Sequence, residues 1–115
     1  MFGVTVEKIE KWRLKDKPDK IVKAMKHKDK SIRIAAIKAA SFMKNEEILN
    51  TLIIFLREDP NPEIRMNAAE ALGIIGNPRS QDHLAYVGEN DSDEKVKEKA
   101  QEALRALISK KLKHE

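Results

Sequence analysis

The side chains of this chain best suited to chemistry are its histidines and paired carboxylates, and their spacing argues against catalysis. His27, His83 and His114 lie far apart, with no metal-ligand spacing among them. There is no cysteine, which excludes a thiolate nucleophile, a thiolate metal site and a disulfide framework. Glu46-Glu47 and Asp91/Asp93 invite a general acid–base reading. Both pairs fall where helices are expected to begin. A carboxylate there meets the positive end of a helix dipole, so capping accounts for them. The four glycines form no loop that could cradle a phosphate. No enzyme, cofactor or metal is expected.

The remaining chemistry is charge. Lys20, Lys23, Lys26, Lys28 and Lys30 follow closely on Lys8, Lys11, Arg13 and Lys15. Residues 1–45 hold thirteen Lys and Arg against five Asp and Glu, a balance of +8. Residues 46–115 hold ten against fourteen, a balance of −4. A lysine cluster of this kind is what a phosphate-binding surface needs, with Trp12 as a stacking partner for a base. The competing reading is a solvated helix surface, with Trp12 closing the N-terminal end of the core. Sequence leaves both open.

The elements that position these residues repeat. Ile32-Arg33 with Ala36, Ala39 and Ala40 returns as Ile64-Arg65 with Ala68, Ala71 and Leu72. It returns again as Val96-Lys97 with Ala100, Ala103 and Leu104. The three copies stand at a constant offset of 32 residues. Self-similarity at this period marks a stacked-repeat architecture in which each unit buries its apolar face only against its neighbours.

Each unit reads as a helix pair. Leu52, Ile53, Phe55 and Leu56 make an apolar stripe that Asp59-Pro60-Asn61-Pro62 ends, since proline disfavours helix before it and suits the first turn after it. Asn61 is expected to cap the next helix, and Gly76-Asn77-Pro78 to stop it. Asp29 and Asp93 align with Asn61 as caps. Val6, Ile9 and Trp12 form one more amphipathic helix near the start. The expectation is a single all-α domain over residues 1–115: a cap helix at 5–15, then repeats at about 18–44, 46–76 and 78–109. Seven helices result. Ala36, Ala68 and Ala100 should mark where helix axes approach closely.

No run approaches the roughly 20 apolar residues of a membrane span, and the first ten residues lack a signal-peptide pattern. The cytoplasm is the expected compartment. Abundant Lys and Glu without Cys lean toward a thermophilic source.

Asp59 followed by Ile64-Arg65 and Ala68, and Asp91 followed by Val96-Lys97, resemble the HEAT repeat pattern: a turn aspartate, a β-branched residue, then Arg or Lys. The period is closer to the compact HEAT-like repeats of bilin lyase subunits. The resemblance implies a right-handed α-α superhelix, a HEAT/armadillo-like solenoid of about three helix pairs plus the capping helix. It also implies a hydrogen-bonded ladder along the stack, with Arg33, Arg65 and Lys97 as donors and Asp59 and Asp91 as acceptors. The first unit departs, with His27 in the aspartate position.

Second helices line the concave side in this family. Taking Ala36 as the centre of the buried face puts Ile34, Lys38 and Ser41 outward, then Met66, Glu70 and Gly73, then Glu98, Glu102 and Arg105. A partner groove is therefore expected at Ile34 and Met66, flanked by Lys38 and Glu70. The function expected is a non-catalytic module or scaffold binding a protein partner, monomeric or weakly dimeric. The alternatives are nucleic-acid binding by the basic half, or an accessory subunit of an enzyme.

Overall fold

The computed structural model describes residues 3–113. They form α1 (Val6–Leu14), α2 (Pro18–Met25), α3 (Lys30–Ala40), α4 (Glu46–Glu58), α5 (Pro62–Ile75), a 3-10 turn (Pro78–Ser80), α6 (Gln81–Asn90) and α7 (Glu94–Lys113). No strand occurs among the described residues. The helices pair as α2/α3, α4/α5 and α6/α7, and the pairs stack into an α-α solenoid. Successive second helices pack on one another in the order α1, α3, α5, α7, and α2, α4, α6 form the other layer. The slab measures 43 × 34 × 17 Å. Its short dimension is what two helix layers give at an interaxial distance of about 8–10 Å.

The helix starts follow from their caps. Thr5 accepts from Lys8 N, Asp29 from Ser31 N, Asn45 from Ile48 N and Asn61 from Glu63 N. Asp93 Oδ1 accepts from both Lys95 N and Val96 N. Each bond satisfies an amide that the first turn leaves without a partner, for about 1 kcal/mol per cap. Pro18 and Pro62 occupy the first turns of α2 and α5, where a missing N–H costs nothing.

The core runs the length of the slab. Ile21, Met25, Ile37, Ile48, Leu52, Leu56, Ile64, Leu72, Leu84, Val96 and Leu107 are fully buried, as are Ala36, Ala68 and Ala100. Trp12 is half-buried against this core.

Two positions expected outward are buried instead. Ser41 lies inside, and Gly73 packs so closely on α7 that an added Cβ would stand 2.9 Å from Ala103 Cα. The cause is the stacking itself. At roughly 100° per residue, the side of a second helix opposite Ala36 does not simply face water, because the next second helix covers part of it. Glu98, Gln101, Glu102 and Arg105 of α7 are exposed.

Gly76 ends α5 in the left-handed region at φ 68°, where glycine carries no Cβ penalty. The last helix runs past the register of the others: Ile75 corresponds to Leu107, yet α7 continues to Lys113. This overhang brings the Lys110 ammonium onto the Ile74 carbonyl, a cation at the negative end of α5.

Candidate functional site

The turn residues build a ladder across the repeats. Arg33 Nη2 donates to Asp59 Oδ2 at 2.6 Å, and its Nε to the Met25 carbonyl at 2.9 Å. One unit on, Arg65 donates to both Asp91 oxygens, at 2.9 and 3.0 Å, and to the Asp59 carbonyl at 2.8 Å. The carboxylates also shape their own turns: Asp59 Oδ1 accepts from Asn61 N at 3.0 Å, and Asp91 Oδ1 from Asp93 N at 2.9 Å. Arg33 further lies 4.7 Å from the centroid of the Phe55 ring. Donors committed in this way are not free for an anionic ligand. Among the described residues Lys97, the third donor position, reaches Glu94 of its own helix, at 3.6 Å.

His27 takes the aspartate position in the first unit and reproduces half of its role. Its Nδ1 accepts from Asp29 N at 3.0 Å, as the carboxylates do at residues 59 and 91. The ring keeps the turn without the charge.

The free face of the α1-α3-α5-α7 layer centres on different residues from those expected. Ile34 and Met66 are half-buried against the core. Their helical positions lie beside Ser41 and Gly73, on the side that the following helix covers. Lys38 and Glu70 are exposed. Beside them the structure places Phe42, 68% exposed, and Ile74, 38% exposed. These two stand one repeat apart, so the 32-residue offset itself could have found them.

Clefts flank both residues. Between α1 and α3 a cleft of about 450 Å³ is lined by Val6, Ile9, Arg13, Ala35, Lys38 and Phe42, among others. Between α5 and α7 one of about 350 Å³ is lined by Glu70, Ile74, Lys99, Glu102, Ala106 and Lys110, among others. Several charges across the face are paired. Lys99 lies 3.2 Å from Glu102 and 3.7 Å from Glu70, and its pKa is raised, chiefly by the hydrogen bond to Glu102. Arg13 pairs with Glu10, whose carboxyl it holds below the usual range through that hydrogen bond. The face can therefore seat apolar groups between pre-formed ion pairs.

The five lysines of the basic cluster separate. Lys20 and Lys23 line a cleft of about 290 Å³ with Val4, Trp12, Ala24 and His27, and the Lys20 ammonium sits 5.7 Å from the Trp12 ring centroid. Lys26 closes α2 and Lys28 follows in the turn, both exposed. Lys30 is tied to Glu63 of the next unit at 2.8 Å.

Among the described residues, the candidate catalytic side chains stand apart. Among the described residues no three His, Cys, Asp or Glu side chains are placed to hold a metal. His83 Nδ1 lies 3.0 Å from Arg57, both in the α2-α4-α6 layer, and His114 lies outside the described residues. Glu46 and Glu47 occupy the first turn of α4, with Glu46 paired to Arg79. No helix is long and apolar enough to cross a membrane.

The helix-pair repeat has a counterpart among known proteins. A family model for HEAT repeats matches residues 15–105. Over 80 residues, 67% of this chain, the sequence is 38% identical to epoxyqueuosine reductase of Bacillus subtilis (strain 168), and the match covers 21% of that protein's length. The repeat, its helix pairs and the family match over most of the chain agree: the chain belongs to the HEAT-repeat family.

Proposed function

We propose that this chain is a non-catalytic interaction module that binds a protein partner through the free face of α1, α3, α5 and α7. One observation carries the reading. Phe42 and Ile74 stand exposed in equivalent repeat positions, each beside a largely apolar cleft and bordered by Lys38 and Glu70. Exposed apolar side chains in clefts, ringed by paired charges, are what an interface centre is made of. Ile34 and Met66 support this face from beneath and are not its anchors. The module works in the cytoplasm, as a monomer or weak homodimer.

The test is affinity capture with wild-type chain and with Phe42→Glu plus Ile74→Glu, each first shown to be folded by a cooperative thermal melt. Loss of one discrete partner in the double variant supports the reading. Recovery of the same partner at wild-type yield overturns it.

The likeness to part of epoxyqueuosine reductase favours one specific form of this role, a repeat module that attends an enzyme. In that form the partner captured on the Phe42/Ile74 face is itself an enzyme, and adding the module changes its turnover. A captured protein without catalytic activity removes this form and leaves the general one.

A further inference from the structure

We propose that the cleft at the N-terminal end of the stack is a binding site for single-stranded nucleic acid. A base packs on Trp12, and its phosphates are held by Lys20, Lys23 and His27. The site shares no lining residue with the Phe42/Ile74 face, so either can fail without the other.

At residues 59 and 91 a carboxylate shapes the turn and takes a guanidinium from the preceding unit. At residue 27 the preceding helix of the layer is α1, and it supplies no guanidinium there: Arg33 and Arg65 stand four residues after their helix caps, whereas Ile9 stands four after Thr5. An aspartate there would lack its ladder donor and would repel an anion. Histidine removes both problems. Its Nδ1 accepts from Asp29 N, which leaves the ring proton on Nε2. The position that is an anion elsewhere in the stack becomes a hydrogen-bond donor lining the cleft.

The rest of the cleft has the same sign. Lys20 and Lys23 line it, and among the described residues no carboxylate does. Lys26 and Lys28 continue the positive charge past it along the same turn, as a repeating polyanion requires. One wall is the aromatic Trp12, the chain's single tryptophan, now covered by the Lys20 ammonium at 5.7 Å. An incoming base replaces that ammonium on the ring, and the ammonium turns to the phosphate. An aromatic platform beside a basic track is the combination that holds unpaired strands. The ring distinguishes this occupant from a phosphorylated peptide, which has no base to stack. Lys30, committed to Glu63, takes no part.

The single tryptophan makes the test direct. The full chain is titrated with a short oligothymidylate strand while Trp12 fluorescence is followed, at 50 and at 200 mM salt. Quenching is expected. If Lys20, Lys23, Lys26 and Lys28 each neutralise a phosphate, affinity should fall about fifty-fold between those salts. His27→Asp retains a turn acceptor of the kind seen at residues 59 and 91 but returns an anion to the cleft. It should weaken binding at least about tenfold with an unchanged helical signal. Lys20→Ala plus Lys23→Ala should do the same. The proposal is overturned if the strand leaves Trp12 emission unchanged, if His27→Asp binds as wild type does, or if a phosphoserine peptide displaces the strand at equal concentration.

Discussion

Breaking the Arg65–Asp91 pair should cost several times more than breaking Lys30–Glu63, although both join successive units. The Arg65 and Asp91 side chains are 13% and 9% exposed, whereas those of Lys30 and Glu63 are 54% and 52% exposed. Asp91→Ala strands a guanidinium that is nearly out of water and leaves the Asp93 amide without its acceptor. Removing one partner of a fully buried pair costs about 3–5 kcal/mol. The residual exposure here lowers that to about 2–4 kcal/mol. At about 2.1 cal/mol/K of unfolding entropy per residue, a loss of 3 kcal/mol moves Tm by roughly 12 °C in a chain of this length. Arg65→Met should cost about 2–3 kcal/mol, and the double variant little more than either single one. The coupling energy in that cycle should be about 1.5–3 kcal/mol. For Lys30→Ala and Glu63→Ala it should be about 0.5 kcal/mol or less, because water screens that pair. Urea denaturation of the seven proteins, wild type and three variants per pair, measures both couplings. Equal couplings, or less than about 0.5 kcal/mol at Arg65–Asp91, would refute the claim that burial makes the ladder a structural joint.

Gly73→Ala should destabilise by about 1–3 kcal/mol by overpacking, since its Cβ meets the Ala103 backbone at 2.9 Å; chemical denaturation checks this. Ile34→Glu plus Met66→Glu should lower Tm by 10 °C or more, because it puts carboxylates into half-buried apolar positions. Phe42→Glu plus Ile74→Glu should move it by only a few degrees, and scanning calorimetry separates the two cases. The Asp29 carboxyl is held below its ordinary range, first by the Ser31 hydroxyl and then by the Ser31 amide. A depressed carboxyl contributes stability that is present above the ordinary value, near pH 4, and is lost as pH falls toward the folded one. Asp29→Asn, which still caps α3, should therefore flatten the acid side of the stability–pH curve. An unchanged acid limb in thermal melts from pH 5 to 2.5 would contradict it.

The period of 32 made the helices legible because it copies the caps along with the core. Asp29, Asn61 and Asp93 recur at the same offset and begin equivalent helices. The ladder donors recur with them at Arg33 and Arg65, while Lys97 keeps the position and turns to Glu94 of its own helix. The free face was harder to read. A helical wheel centred on Ala36 knows nothing of the next helix, so Ile34, Met66, Ser41 and Gly73 look exposed when stacking covers them. Phe42 escaped for another reason: it lies just past the end of α3, outside the apolar periodicity used to draw the helix. The role of His27 was equally hidden. Its identity breaks the repeat, and only the hydrogen bond from Asp29 N shows that the turn geometry survives the change.

The central claim, that a protein partner docks on the second-helix layer, is tested most directly by site-specific photocrosslinking. A benzophenone side chain is placed at Phe42 in one variant and at Tyr86 in another, and both are irradiated in native lysate. Both positions are exposed, but Tyr86 belongs to the opposite layer, beside Arg57. The account predicts one discrete adduct from position 42 and none of that mass from position 86. The same adduct from position 86 alone would contradict it.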